Sequence, residues 1–446
     1  METKEQFVEK VKHTIEERGL IKPDDKVLVA ISGGADSVAL LLVLLEVGYH
    51  CEAVHCNFRL RGKEADRDET FVRRLCQSYS IRIHVKELDA ISYAKANGIS
   101  VEMAARHLRY DYFEELLRDW RLNVTAVGHH REDNVETLLI NLLRGSGLKG
   151  LGGIHHKNGN IVRPLLDMTR KDIEDYLAQN DQDFITDSSN FETDVVRNKI
   201  RLQVLPLMSE INPNIIDTLN DTTRRLRDAY ILYKVAVDEL KEQVCMNYSI
   251  SIKRLQNSRA PRTLLYEILS DYGFNKAQVG EIYEQINGEA GKIYESKDWR
   301  LLRDRNCLIL EPKNIKKECL CSVLPLDGYV RVTLSRTFHI SRMFLNHNFV
   351  IPHDKNTACL DLDKIEYPIS VRFAKDGDKF IPLGMEGMKL VSDYLTDNKK
   401  NIFEKEQQLV VCCGKQIAWL VGERTDNRFK IDETTKRVLM IRSLNN

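Results

Sequence analysis

A strand-like run, Val27-Leu28-Val29-Ala30-Ile31, leads straight into Ser32-Gly33-Gly34-Ala35-Asp36-Ser37, and a strongly apolar helical stretch begins at once. Two successive glycines let the backbone turn tightly and aim amide N–H groups at one point, and the following helix adds the positive end of its dipole. This combination makes an anion site. Ser32 and Ser37 bring hydroxyl donors suited to phosphate oxygens, and Asp36 is placed to hold a magnesium ion that balances their charge. The Walker pattern Gly-x-x-x-x-Gly-Lys-Ser/Thr is absent, so this is a phosphate loop of another kind. The bland alternative for these six positions is a strand-to-helix turn with an Asp-Ser cap.

Other groups with chemical potential follow in order. His55-Cys56-Asn57-Phe58-Arg59-Leu60-Arg61-Gly62 ends the second strand-like run, at the edge where open α/β sheets bind ligands; Arg59, Arg61 and Lys63 suit phosphate or simply solvent. In Glu102 to Tyr110, Glu102, Arg106 and Arg109 share one helical face, as a basic surface or as an ordinary ion pair. Gly128-His129-His130-Arg131-Glu132-Asp133-Asn134-Val135-Glu136-Thr137 opens another helix. Asp133 and Glu136, three apart, point the same way and suit magnesium or a cationic amine. His129 and His130 diverge by about 100° on a helix and cannot converge on one ion. Asp187 to Asn190, Arg197 to Arg201, and Arg224, Arg225 and Arg227 form a polar and basic stretch suited to RNA phosphate, although Asp221 and Asp228 dilute it into a solvated face. Gly145-Ser146-Gly147-Leu148-Lys149-Gly150 satisfies the dinucleotide pattern by letter only. It follows a helix rather than a strand, so it predicts a loop.

These residues need a frame. Strands are predicted at Lys26 to Ile31, Cys51 to His55, Ile81 to Val85 and Val124 to Gly128. Helical periodicity appears at Ala35 to Val47, Glu64 to Tyr79, Val101 to Trp120 and Glu132 to Leu143. The alternation predicts an α/β fold with a doubly wound, mostly parallel sheet. Beyond Pro206 and Pro213 the rhythm changes to a long charged helix, Ile215 to Val244, and further helix over Thr263 to Ile286. Short strands follow from Trp299, including a hairpin over Leu409 to Val421 turning on Gly414-Lys415. The expected organisation is a catalytic domain over 1–215, a helical domain over 216–315 and a small mixed α/β domain over 316–446.

Composition narrows the class. A chain of 446 residues, 43% hydrophobic and 30% charged, is a soluble multidomain profile. Equal numbers of basic and acidic side chains, 66 each, leave the nucleic-acid question to local clusters. Met1 to Lys12 lacks an apolar leader and Val38 to Leu45 is too short to span a bilayer, which predicts a cytoplasmic protein with no membrane partner. Ten scattered cysteines include no Cys-x-x-Cys, and the spacing of Cys319, Cys321, Cys412 and Cys413 suits neither zinc nor a redox dithiol.

Taken together, the chain resembles the tRNA(Ile)-lysidine synthase family of PP-loop enzymes. The likeness runs through Ser32 to Ser37, His55 to Gly62, Glu102 to Tyr110, Gly128 to Thr137, Arg144-Gly145-Ser146-Gly147, Arg163-Pro164-Leu165, Asp187 to Asn190 and Arg197 to Arg201. It resumes at Phe380 to Met385 and Gly422 to Phe429. Asn401 to Gln407 departs from it, with Ile402-Phe403-Glu404-Lys405 in place of a Pro-rich turn and an Arg. The resemblance implies ATP-dependent ligation of L-lysine to C2 of the wobble cytidine in the isoleucine tRNA with a CAU anticodon. An adenylated tRNA intermediate forms, AMP and pyrophosphate are released, and decoding changes from methionine to isoleucine. It further implies that Ser32, Gly33, Gly34, Ala35, Asp36 and Ser37 bind ATP, with Asp36 a magnesium and adenylation residue. Arg106, Asp133 and Glu136 would complete the catalytic set, the two carboxylates serving lysine or magnesium. His55, Arg61, Arg109, Arg144, Arg197 and Arg201 become candidates for substrate or tRNA, with Arg197 and Arg201 suited to phosphate or the lysine carboxylate. A second copy of the chain is a further candidate partner. The runner-up, a PP-loop tRNA thiolase, would rely on paired or catalytic cysteines, and the first domain holds only Cys51, Cys56 and Cys76. A non-catalytic nucleotide- or RNA-binding protein would have no use for Asp36, Asp133 and Glu136 together.

Overall fold

The computed structural model describes residues 3–60, 62–186, 196–314, 318–345 and 349–445. The chain divides into two compact units, Met1–Lys234 and Val235–Asn446. In the first unit the order is α1 (Lys4–Glu17), β1 (Lys26–Ala30), α2 (Ala35–Val47), β2 (His50–Asn57), α3 (Lys63–Ser78), β3 (Ile83–Glu87), α4 (Ala90–Asn97) and α5 (Val101–Asp119). Then come β4 (Val124–Ala126), α6 (Arg131–Leu143), α7 (Leu148–Leu151), β5 (Lys157–Asn158), β6 (Ile161–Val162) and α8 (Arg170–Gln179).

The strands form one six-stranded sheet in the order β3-β2-β1-β4-β6-β5, parallel except for β5. Alternation sorts β1 between two layers. Val27 and Val29 pack with Phe7, Leu40, Val43, Val72 and Ile173 from α1, α2, α3 and α8, while Leu28 meets Phe113, Leu116 and Leu117 of α5. A strand buried on both faces reads as a continuous apolar run, which is why β1 carries no polar alternation. Helix α2 is likewise buried nearly all round, from Ser37 to Leu44. Because β1 is flanked by β2 and β4, the chain leaves it one way to build β2 and β3 and later returns on the other side. The crevice above β1 and β4 is therefore the switch point at which such sheets bind ligands.

Three further helical pieces end the unit: α9 (Val196–Lys199), a π-helical turn over Ile200–Val204, and α10 (Leu205–Ile211). The 30-residue α11 (Ile215–Val244) follows with its predicted bounds. The glycine stretch after α6 is a loop and short helix, as its context predicted. Gly153, at φ +67°, lies so close to Asn134 and Thr223 that an added Cβ would stand 2.2 Å from Asn134 Oδ1. Arg227 turns inward and donates to the carbonyls of Gly152 and Ile154, so it is not part of an exposed basic stripe. Arg224 and Arg225 remain exposed.

The second unit contains a feature the sequence did not announce. Strands β7 (Cys245–Met246), β8 (Ser249–Ser251), β9 (Ile293–Glu295), β10 (Trp299–Arg303) and β11 (Cys307–Pro312) form an antiparallel sheet in the order β7-β8-β11-β10-β9; β10 and β11 lie where short strands were expected from Trp299, whereas β7, β8 and β9 were not foreseen. Pieces of two or three residues are too short to show alternation. The helices beside it are α12 (Ile252–Gln256), α13 (Pro261–Ser270) and α14 (Lys276–Glu284). The last two make up the helical stretch expected over Thr263 to Ile286, divided where Gly273 adopts φ +78° and Asn275 caps the restart. Two four-stranded sheets with a shared core of Phe338, Val371, Val411, Trp419 and Ile441 complete the unit. The hairpin of Leu409–Cys413 and Gln416–Leu420 turns on Gly414-Lys415 as predicted.

The divergent segment after Asn401 has a structural use. It forms the helix Ile402–Glu406, and Arg300 of β10 lies 4.6 Å from the Phe403 ring while donating to Glu406 at 3.1 Å and to Glu311. Gln407 donates to the other oxygen of Glu311 at 2.5 Å. Among the described residues no helix is long and apolar enough to cross a membrane.

Candidate active site

The loop between β1 and α2 is braced from within. Gly33 adopts φ +96°, and its carbonyl accepts from Ile185 N–H at 2.9 Å. Ser32 N–H donates to Ser37 Oγ at 3.1 Å, Gly34 N–H to Ser32 Oγ at 3.3 Å, and Ser37 Oγ–H to the Gly34 carbonyl at 2.9 Å. The Ser37 hydroxyl proton is thus committed to the loop rather than turned to a ligand. Gly34 caps α2, which places Ala35 and Asp36 in its first turn at the positive end of the dipole.

The end of β4 presses against this turn. A Cβ on Gly128 would stand 2.9 Å from the Asp36 carbonyl, so only glycine allows the two loops to touch. Next to it His130, Asp133 and Glu136 open α6. His130 Nδ1 meets Glu132 at 2.8 Å, and its Nε2 faces Asp133 at 3.5 Å and Asp36 at 3.9 Å. Burial works against the charged imidazole, but the Glu132 hydrogen bond and the Asp133 and Asp36 charges outweigh it and raise His130 to about 9. It is a cation at neutral pH, set among carboxylates.

Asp133 does two things at once. One oxygen accepts from the His130 N–H at 3.1 Å, capping α6, and the other meets Arg201 at 3.3 Å. Burial disfavours its charge, yet His130, that backbone N–H and Arg201 together hold its carboxyl below the usual range. Glu136 is fully buried and receives Arg201 at 2.6 and 3.1 Å, with Arg197 at 3.5 Å. Burial pushes its carboxyl up and Arg201 opposes the shift. The two carboxylates therefore share a face as the spacing predicted, and they converge on one guanidinium. Arg201 sits in the π-helical turn, a rare geometry that re-aims side chains and recurs at functional sites. Arg197 also donates to Thr137 at 3.3 Å.

Asp36 is held differently. Arg170, at the start of α8, places one nitrogen 2.8 Å from each of its oxygens. Burial raises the Asp36 carboxyl, against the pull of His130 and Arg170. Arg170 was not legible in sequence, lying 134 positions from its partner, although Thr169-Arg170-Lys171-Asp172 is a capping box that announces the helix start. A second unanticipated pair is Arg163 and His129. Arg163 Nε donates to His129 Nδ1 at 3.0 Å, which fixes His129 as the neutral tautomer with its proton on Nε2. Burial and the charges of Arg163, Arg197 and Arg106 take its pKa down to about 4, against Asp133.

The remaining predicted residues are more dispersed. Arg106 is exposed on α5 with its guanidinium 5.2 Å from the Tyr110 ring, near enough for its charge to be felt at His129. Arg109 lies over Phe58 at 5.4 Å and Arg144 is exposed at the end of α6. His55 is buried, its Nδ1 2.9 Å from the Ile31 carbonyl, where it supports the loop from beneath. Arg61 and Asp187 to Asn190 lie outside the described residues. Burial raises the Cys51 thiol to about 12 and those of Cys56 and Cys76 to about 11, so none is a ready thiolate nucleophile.

Comparison with known proteins bears on this arrangement directly. A PP-loop domain profile matches residues 3–208, a TilS substrate binding domain profile 246–313, and a B3/4 domain profile 353–444. A tRNA(Ile)-lysidine synthase from Bacteroides thetaiotaomicron is 50% identical over 426 residues, which is 96% of this chain and 97% of that protein. The chain belongs to the tRNA(Ile)-lysidine synthase family. Synthases of the same name from Parabacteroides distasonis and Caldanaerobacter subterraneus are 43% and 31% identical, over 96% and 98% of this chain and 98% and 97% of theirs. Membership favours a lysidine synthase over the thiolase alternative, in line with the buried thiols. It also makes ATP the nucleotide substrate and tRNA the macromolecular substrate of this synthase family member.

Proposed function

We propose that this protein joins L-lysine to C2 of the wobble cytidine of the CAU-anticodon isoleucine tRNA at the expense of ATP. The observation that carries the reading is the cluster of Asp36, His130, Asp133, Glu136 and Arg201 beside the phosphate loop, at the switch point of the sheet. In the first half-reaction the C2 carbonyl oxygen attacks the α-phosphorus of ATP, the α–β phosphoanhydride bond breaks, and pyrophosphate departs. In the second, the amine of lysine attacks C2, the C2–O bond breaks, and the oxygen leaves with AMP. A carbonyl oxygen is a poor leaving group and adenylation makes it a good one, so a protein nucleophile is unnecessary.

Each part of the site has work in this scheme. The Gly33 and Gly34 amides and the α2 N-terminus stabilise the departing pyrophosphate, with Ser32 as a further donor and Ser37 as a brace. Arg170 and Arg106 neutralise phosphate charge, Arg170 leaving Asp36 as the nucleotide enters. Asp133 and Glu136 take the lysine amine, and Arg201, released from them, pairs with the lysine carboxylate. Arg197 keeps Glu136 ionised meanwhile.

Magnesium fits this donor set in part. Asp36 offers hard oxygens whose burial favours a cation, but the described residues contain no cluster of three or more metal-ligating side chains. An ion there would take its other ligands from phosphate and water, as magnesium commonly does, and would screen the triphosphate charge. In the same reading residues 1–215 are the catalytic domain, 216–315 and 316–446 contact tRNA, and the protein works in the cytoplasm as a homodimer. Light scattering tests that last point: a mass near 51.6 kDa contradicts it. The activity is tested by incubating the protein with ATP, radiolabelled lysine and unmodified isoleucine tRNA. Label should enter the tRNA, and AMP release without label would refute the assignment.

A further inference from the structure

Three aromatic rings from separate segments of the second unit meet at the surface. Tyr248, in the turn between β7 and β8, lies 5.5 Å from Trp299 of β10 at a 33° tilt, and Tyr272, after α13, meets Trp299 edge-on at 4.7 Å. Tyr248 is 58% exposed. Trp299 and Tyr272 are anchored by one hydroxyl, Ser296 Oγ, which donates to the Tyr272 carbonyl at 2.7 Å and accepts from Trp299 N–H at 3.2 Å. The Tyr248 carbonyl accepts from Leu310 N–H at 2.8 Å.

The backbone beneath Tyr248 is unusual. Asn247 and Tyr248 form a two-residue hairpin loop with φ +47° and +63°, the signature of a type I′ turn. Glycine is the residue such a turn favours at its second position, and a bulky ring there is a strained choice. At this position the ring is more than half exposed while it packs against Trp299. The rim is electrically balanced: Lys241 pairs with Asp271 at 2.7 Å, Lys313 pairs with Glu295 at 2.8 Å, and Lys297 and Asp298 are both exposed just before Trp299, so any contact here would rest on the ring faces rather than on charge.

We infer that Tyr248, backed by Trp299 and Tyr272, is a stacking platform for an unpaired nucleobase of the tRNA substrate. Aromatic faces are the commonest device for holding splayed RNA bases, and stacking tolerates any base because each has a π face. All three rings fall within the residues matched by the substrate binding domain profile. The inference rests on the reading that tRNA is the substrate.

The strained turn supplies an unusual control. Tyr248→Gly removes the ring and relaxes the backbone, so the fold should not suffer, whereas Tyr248→Phe keeps the ring and loses only the hydroxyl. Filter retention of unmodified isoleucine tRNA should show Kd weakened between about five- and a hundred-fold in Tyr248→Gly, the range for loss of one stacking ring. Tyr248→Phe should stay within about twofold of the parent, the ring that stacks being intact. At saturating tRNA, lysine incorporation and the KM for ATP should be unchanged in both. An unchanged Kd in the glycine variant, or an equal loss in the phenylalanine variant, would overturn the platform. Failure of the function reading would show separately, as no lysine incorporation by the parent protein while tRNA is still retained.

Discussion

Replacing Glu136 with Gln removes one charge from a fully buried position without changing its volume, leaving Arg201 with Asp133 as its remaining anionic contact. Removing one partner of a buried pair costs about 3–5 kcal/mol when the other is stranded. Arg201 is not stranded: its side chain is 34% exposed and Asp133 lies 3.3 Å away. The stability loss should therefore shrink to about 1–2 kcal/mol, a fall of roughly 2–8 °C in the melting temperature of a unit this size. The kinetic effect should be larger and selective. A charge-assisted hydrogen bond to the lysine amine is worth about 1.5–3 kcal/mol, so kcat/KM for lysine should drop roughly 10- to 150-fold. Adenylation, followed as tRNA-dependent exchange of labelled pyrophosphate into ATP, should stay within a few-fold of the parent. Lysine and ATP Michaelis constants that both remain at the parent values would refute the placement of Glu136 in the site, and equal losses in exchange and lysine transfer would refute the division of labour.

Other expectations follow from the same geometry. His130 has a folded-state pKa of about 9 against 6.5 for the free side chain, so its stabilising contribution is complete below about pH 6.5 and is lost as pH rises toward 9. On the order of 3 kcal/mol is at stake, and melting curves across that window should fall more steeply for the parent than for His130→Gln; parallel curves would contradict the assignment. Gly128→Ala drives a Cβ against the Asp36 backbone at 2.9 Å and should lower kcat/KM for ATP by about a hundredfold through misplacement of the loop, with lysine KM little changed. Arg300→Met, which removes the Glu311 and Glu406 contacts, should destabilise the second unit by about 1–3 kcal/mol in calorimetry while sparing pyrophosphate exchange; no change in any transition would show the contact to be inert.

The first unit was more readable from sequence than the second, for physical reasons. A strand buried on both faces and a helix buried all round leave uninterrupted apolar runs, and β1 and α2 appeared nearly where they stand. Local spacing also put Asp133 and Glu136 on one face correctly. It could not show that Arg201 occupies that face or that Arg170 grips Asp36, because pairs separated by 65 and 134 positions depend on how helices converge. Nor did it show that Ser37 braces the loop, or that His55 and Arg227 turn inward, since exposure is set by the final packing. The β7–β8 hairpin was hidden by its own turn: it reads Asn-Tyr where the usual hairpin signal is Asn-Gly.

The central claim is that one site adenylates tRNA and then hands the activated carbon to lysine. The most direct measurement supplies purified protein with ATP labelled in the α-phosphate, isoleucine tRNA with a CAU anticodon, and no lysine, then adds lysine. Label should become bound to tRNA in the first stage and be released as AMP in the second, one for each lysine incorporated. Incorporation of lysine with no tRNA-bound label at any time, or AMP formed from lysine and ATP without tRNA, would contradict it.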